Sequence, residues 1–225
     1  MTQFYQKENK QLVAVDCIIL GFQENKLKIL IGRRQMEPGY GEWSLYGGFV
    51  HNNESLQDAA KRVLYGLTGI KDIFMRQVGA YGEIDRDPGD RVISVVYMAL
   101  INVDDYDNTL LDKYGLAWMD VDKMPKLFSD HNRMVEQALG QLRRHVSYEP
   151  LGFNLLPDLF TLTQLQKVYE AIYGMEIDKR NFRKRIKQMD FIEKTELIDK
   201  ISSKRGAALY RFNQKTYNEA PKFKL

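Results

Sequence analysis

The sequence predicts a chain in two parts, an α/β domain followed by a smaller α+β domain. Three observations predict it. β-rich apolar runs flank one amphipathic helix in the first half. Pro150, Gly152 and Pro157 then interrupt the chain. Beyond them the order becomes helix, short turn, helix and hairpin.

Leu12–Phe22 and Lys26–Arg34 read as strands around Gln23-Glu24-Asn25, a hairpin. A Gly-rich stretch, Gly39 to Gly48, follows. Ser55 can cap a helix that runs to Thr68, with Gly69 as its stop. Its apolar positions Leu56, Ala59, Ala60, Val63, Leu64 and Leu67 keep helical spacing. Phe74–Ile84 and Arg91–Val103 read as strands around the turn Asp85-Arg86-Asp87-Pro88-Gly89-Asp90. Gly115–Val121 is a further strand, and Asp130–His145 a second amphipathic helix. The junction falls in Ser147–Leu156, which divides a first domain, 1–148, from a second, 149–225.

With 225 residues, 44% of them hydrophobic, the chain can build a core for two unequal domains. Cys17 is the only cysteine, which excludes an internal disulfide and a cysteine-rich zinc site; in its apolar run it reads as a packed core thiol. His51, His131 and His145 share no ligand-like spacing. No metal site and no cofactor are expected. No apolar run is long enough to span a bilayer, and Met1–Tyr5 does not begin a signal peptide, so a cytoplasmic protein without a membrane partner is expected. The net charge of +3 hides an asymmetry. Residues 1–150 carry 18 Lys/Arg against 21 Asp/Glu, whereas residues 151–225 carry 15 against 9. The excess positive charge sits in the smaller domain, which suits an acidic partner such as DNA.

From Gly48 the residues resemble the Nudix box, G-x5-E-x7-R-E-U-x-E-E-x-G-U with U aliphatic. Gly48, Glu54, Arg62, Leu64, Gly69 and Ile70 fall on motif positions, so the box spans residues 48–70. Trp43-Ser44-Leu45-Tyr46-Gly47-Gly48 resembles the family's Trp-x-x-Pro-Gly-Gly lead-in, with Tyr46 in place of proline. The departures carry more information. Nudix hydrolases have glutamates at the positions of residues 63, 66 and 67. On one helical face such carboxylates hold a hard cation that neutralises a diphosphate and activates water. Here those positions are Val63, Gly66 and Leu67, so no enzyme is expected and no residue is assigned a catalytic role. Val63 and Leu67 extend the apolar stripe. Gly66, weakening the helix by about 1 kcal/mol relative to Ala, suggests close backbone packing or a pocket wall, with simple drift an equal explanation. Glu54 and Arg62 fit a structural ion pair.

Gly79 to Ser94 resembles a motif of Nudix-related transcriptional regulators, a group that includes the NAD-biosynthesis regulator and pentose-responsive relatives. Asp85, Arg86, Asp87 and Arg91 crowd a tight turn, where carboxylates can accept pairs of hydroxyl hydrogens and guanidinium donates in a fixed fork. With Trp43 stacking on a sugar face, these are the candidate effector contacts. A solvated hairpin turn with surface ion pairs explains the same residues equally well.

In the second domain Thr161-Leu162-Thr163-Gln164 is a capping box, Leu162, Leu165, Val168, Tyr169 and Ile172 form a stripe, and Gly174 is a stop. Asp178 caps a second helix, Lys179–Met189, with Ile177 and Phe182 at hydrophobic-staple positions. Phe182, Ile186 and Met189 cluster within about 60°. Arg180, Arg183, Lys184 and Lys187 lie opposite, with Asn181 and Gln188 at one margin. Arg180, Asn181 and Arg183 suit base edges, and Lys184 and Lys187 suit phosphates. A solvated basic face is the plain alternative; four cations without an acid among them favour DNA. Phe191–Ile201 and Ala207–Phe212 form a hairpin whose tip carries Lys204 and Arg205, a wing for phosphates or a minor groove. This order resembles the winged-helix domain of the same Nudix-related regulators.

The resemblance covers nearly the whole chain. It implies a Nudix-type α/β/α sandwich followed by an α+β winged-helix domain, in a homodimeric transcription regulator of a double-stranded DNA operator, with a small-molecule effector that is a sugar or ADP-ribose-like. The pattern is most like the arabinose-responsive members, which favours L-arabinose. The alternative is a Nudix hydrolase with an accessory C-terminal domain; a non-catalytic RNA-binding or scaffold module is a third reading.

Overall fold

The computed structural model describes residues 7–106, 108–201, 206–219 and 223–225. Strand β1 (Leu12–Gln23) is the centre of the larger sheet. It runs parallel to β6 (Val92–Leu100), in register from Leu12 opposite Val92 to Leu20 opposite Leu100. Its other edge is shared by β2 (Lys26–Arg33) and β4 (Tyr46–Phe49). Outside these lie β5 (Phe74–Tyr81) on β6, and β3 (Trp43–Ser44) and β7 (Leu116–Asp120) on β2. The β1–β2 hairpin closes through Glu24 and Asn25, with φ of 53° and 60°, the left-handed pair that matches the twist of the strands.

Side chains alternate across a strand, so β1 serves two cores. Val15, Cys17 and Ile19 face helix α1 (Leu56–Thr68), and Ile18 and Leu20 face helix α3 (His131–His145). Burial on both sides explains why β1 reads as an unbroken apolar run. The Cys17 thiol is buried, and burial pushes its pKa up, as befits an inert core group. Helix α1 begins at a capping box made by Ser55 and Asp58 and ends at Gly69 in the left-handed region, φ 71°. This is the α/β/α sandwich the sequence predicts.

The C-terminal part contains α4 (Leu162–Tyr173), α5 (Lys179–Ile186), and a three-stranded sheet in which β10 (Ala207–Phe212) lies between β8 (Phe160–Thr161) and β9 (Ile192–Asp199). This is a winged helix. Helix α5 is shorter than expected because Gln188 and Met189 donate to carbonyls three residues back, a tightened final turn. The expected wing tip, with Lys204 and Arg205, lies outside the described residues. The two-residue strands β3 and β8, and the six-residue helices α2 (Thr109–Tyr114) and α6 (Gln214–Glu219), are too short to leave a periodic signal.

Both parts share one apolar core. It passes from the sheet through Met134, Val135, Ala138, Leu139 and Leu142 of α3 into Leu165, Val168 and Tyr169 of α4. Arg143 of α3 donates to the Ile172 carbonyl at 3.0 Å, and Arg76 forms an ion pair with Glu149 across the junction. Both tryptophans, Trp43 and Trp118, lie in the N-terminal part. Leu165→Ala is therefore expected to cost about 2–5 kcal/mol and to lower the denaturation midpoint read by those distant tryptophans. A tryptophan transition unmoved by Leu165→Ala would mean that the two parts unfold independently.

Candidate functional site

On α1 the three positions that carry glutamate in Nudix hydrolases divide between core and solvent. Val63 and Leu67 are buried among Val15, Ile19, Leu64 and Tyr97, with no polar atom to offer. Gly66 is exposed, and a Cβ built there would meet nothing within 4 Å, so neither close packing nor a pocket wall explains it. Glu54 has a different partner. Arg62 donates to it from Nε at 2.9 Å and Nη2 at 2.6 Å, and Nη2 also reaches the Phe49 carbonyl. The guanidinium, with the His51 N–H, holds the Glu54 carboxyl at about 2. This pair braces the loop against the helix. Among the described residues, no three His, Cys, Asp or Glu side chains converge as a metal site.

The turn between β5 and β6 gathers the predicted acids and arginines, but they are not equivalent. The Arg86 side chain is almost fully covered and donates both Nε and Nη2 to the Asp130 carboxylate, at 3.0 and 2.8 Å. Its fork is thus taken by the N-terminus of α3. Asp87 accepts from the Gly89 N–H at 2.8 Å, an Asx turn, and is half-buried. Arg91 donates to the Glu83 carbonyl and is only partly covered, and Asp85 is exposed. Trp43 is brought to this end through the segment before α3: the Phe128 N–H bonds the Trp43 carbonyl, and Ser129 Oγ bonds the Arg86 carbonyl. Two residues that sequence reasoning passed over complete the edge. The guanidinium of Arg33 lies 3.9 Å over the Trp43 ring, and that of Arg34 lies 3.9 Å over Phe128. Their only sequence signal is adjacency to the Gly-rich loop.

Beneath the turn lies a buried polar group that composition does not reveal. Ser94 donates to Asp16, whose carboxylate stands 4.0 Å from His131 Nε2. The Leu45 N–H donates to His131 Nδ1 at 3.2 Å, so the network assigns the proton to Nε2. Burial holds the His131 pKa below its usual value against the pull of Asp16, and the ring is neutral.

In the second domain Thr161 and Gln164 close the predicted capping box, at 3.1 and 2.7 Å. Asp178 caps α5 through the Asn181 N–H, 2.8 Å. The turn between the helices is pinned by Glu170, which accepts from Gln166 and from the Ile177 N–H. Phe182 and Ile186 are buried, while Arg180, Asn181, Lys184 and Lys187 are exposed. Arg183 is only partly exposed and bonds Thr163 Oγ1 at 3.2 Å.

Residues 10–138 match the NUDIX domain, and residues 152–212 match the NrtR DNA-binding winged helix domain. Over 95% of its length the chain is 35% identical to the ADPR responsive transcriptional repressor NtrR of Acinetobacter baylyi, covering 88% of that protein. The chain belongs to the NrtR-type Nudix regulators. A crystal structure of Shewanella oneidensis NrtR complexed with a 27mer DNA superposes with a TM-score of 0.84 at 28% identity, over 95% of this chain and 97% of that one. The NUDIX domain of the same Shewanella protein, complexed with ADP ribose, superposes on 62% of this chain and 94% of its own at a TM-score of 0.51 and 26% identity. These relatives give no support to the expectation of a sugar effector such as L-arabinose; the names they carry point to ADP-ribose instead. The missing metal ligands on α1 do not argue against a diphosphate effector, because guanidinium groups can meet phosphate without a metal. No helix among the described residues of this NrtR-type chain is long and apolar enough to cross a membrane.

Two outcomes are expected. The folded Glu54 carboxyl lies near 2 and its usual value is 4.5, so its pairing stabilises the fold fully above pH 4.5 and is lost as pH falls toward 2. The stability difference between wild type and Glu54→Gln, measured by denaturant titration, shrinks over that window; a difference that grows on acidification contradicts the pairing. Arg180→Ala is expected to cost about 1–3 kcal/mol on a preferred duplex and to relax selection at one base pair. Selection from a random duplex pool reads this directly, and an unchanged base preference removes Arg180 from base reading.

Proposed function

We propose that this NrtR-type regulator is a repressor that holds operator DNA and takes ADP-ribose as its signal without hydrolysing it. The observation that carries this reading is the similarity of both domains together, along nearly the whole chain, to the Acinetobacter repressor and to DNA-bound NrtR. The buried Val63 and Leu67 support the loss of hydrolysis: a helix face packed with apolar side chains offers Mg²⁺ no oxygen. The hydrolase alternative has no comparable support on this face.

In this reading the effector domain ends near residue 148, and the DNA-binding domain follows from 149. Trp43, Asp85, Asp87 and Arg91 contact the effector. The carboxylates accept ribose hydroxyls and the guanidinium meets the diphosphate. Arg86, held by Asp130, fixes the turn that presents them. Arg180, Asn181, Lys184, Lys187 and the wing residues Lys204 and Arg205 contact DNA, in a homodimer whose two recognition helices meet two half-sites. No cofactor takes part.

ADP-ribose is expected to raise the thermal midpoint and to change affinity for duplex DNA by about 5- to 150-fold, the usual span of linked sites. Arg91→Ala should lose the thermal shift while keeping DNA affinity in the absence of effector. EDTA-sensitive release of phosphate products from ADP-ribose would overturn the non-catalytic reading. A thermal shift with no change in DNA affinity would overturn the signalling role.

A further inference from the structure

A cavity of about 730 Å³ opens on the C-terminal domain between α4, α5 and β10. Three cations line it: Lys179 and Arg183 of α5, and Lys187, which caps the C-terminus of that helix. They are spaced by four residues, so they form one stripe along the helix. Arg180 and Lys184 belong to the neighbouring stripe and are not among the walls. Opposite stand Thr163 and Gln164 in the first turn of α4, where the helix dipole adds positive potential. No carboxylate among the described residues lines the cavity, and Lys167 at its rim is paired with Glu170 at 2.6 Å.

Arg183 is the informative member. One end of its guanidinium is fixed by Thr163, whereas its Nε is buried and has no hydrogen-bond partner. A buried donor without an acceptor is costly, and a ligand oxygen entering the cavity would relieve that cost. The cavity also has a wall from outside its own domain. Asn25, at the left-handed tip of the β1–β2 hairpin, belongs to the Nudix domain and lines the same space. The hairpin is held there by packing of β2 against α4 in the shared core.

We infer that this cavity seats the sugar-phosphate backbone of duplex DNA and is completed by Asn25 of the effector domain, which makes Arg183 a phosphate anchor instead of a base reader. The inference rests on the DNA-binding reading above and deepens it. The stripe 179, 183, 187 and the dipole of α4 supply charge without sequence information, which is the chemistry of backbone contact. Base reading then falls to the adjacent stripe led by Arg180. Because one wall belongs to the effector domain, any displacement of the β1–β2 hairpin relative to α4 alters the phosphate seat directly.

The test uses the full chain and fluorescence anisotropy with a mixed-sequence duplex long enough for two half-sites, at several salt concentrations. Arg183→Ala is expected to weaken binding about three- to tenfold at low salt and to reduce the salt slope by about one per contact, and Arg183→Lys to keep that slope. Asn25→Asp, which brings a carboxylate to the wall, is expected to weaken binding severalfold relative to Asn25→Gly, which keeps the positive φ without charge. Circular dichroism confirms that each variant is folded. If Arg183→Ala instead leaves mixed-sequence binding intact and relaxes selection at one base pair, Arg183 reads bases and the inference is overturned. If Asn25→Asp binds as Asn25→Gly does, the effector domain is not part of the seat. If Arg183→Ala loses the thermal shift caused by ADP-ribose while DNA affinity is unchanged, the cavity holds the effector and the inference is again overturned. A wild-type chain that binds no duplex at low salt removes the DNA reading itself, a result distinct from these.

Discussion

Helix α3 must satisfy two domains at once, and the rest of the structure depends on how it does so. Met134, Val135, Ala138 and Leu142 are buried, and the core they occupy runs without a break from the sheet into α4. Burying the Met, Val and Leu side chains fully is worth about 1.5–3 kcal/mol each, so the junction is held by the same force as either interior. Polar contacts then fix its geometry: Arg143 closes a carbonyl at the end of α4, and Arg76 meets Glu149. At the other end of α3, Asp130 holds Arg86 of the β5–β6 turn. One helix thus touches the candidate effector turn at its start and the DNA-binding domain at its finish.

The fate of the Nudix box follows from a choice between two uses of one helical face. A hydrolase keeps carboxylates there and accepts their repulsion until a cation arrives. In this chain two of those three positions strengthen the core, Val63 and Leu67 packing on the sheet, while Gly66 faces solvent. What survives is the part of the box with a structural duty. The Arg62–Glu54 pair ties loop to helix, and the capping box at Ser55 and the glycine at residue 69 set the ends of α1. Scaffold and catalysis are separable because they use different atoms of one motif.

In the DNA-binding reading proposed above, the second domain separates positioning from reading in a similar way. Its basic surface is divided by helical spacing, with one stripe turned toward α4 and the cavity, and another turned outward. Charge facing a groove wall gives affinity and orientation, whereas a donor standing clear of its neighbours can select a base. The contact between Arg183 and Thr163 places that residue on the first side.

Much of this was legible in the residues alone. The capping boxes at Ser55 and Thr161, the stops at Gly69 and Gly174, and the amphipathic stripes are local signals, each written within a few residues. For that reason both domains and their order could be read, together with the loss of ligating side chains on α1. Other features required residues far apart in sequence to meet. Arg86 looked like a ligand contact until Asp130, 44 positions away, was found to occupy it. His131 is explained only by Asp16 on β1, Ser44 on β3 and Leu45 just after it. Asn25 gains its place only because β2 packs against α4. The sequence by itself determined the elements, their caps and the face each helix buries, since these depend on neighbours a turn away. Tertiary structure alone decided which polar groups remain free to bind a partner, because that depends on whether a distant side chain has already taken their hydrogen bonds.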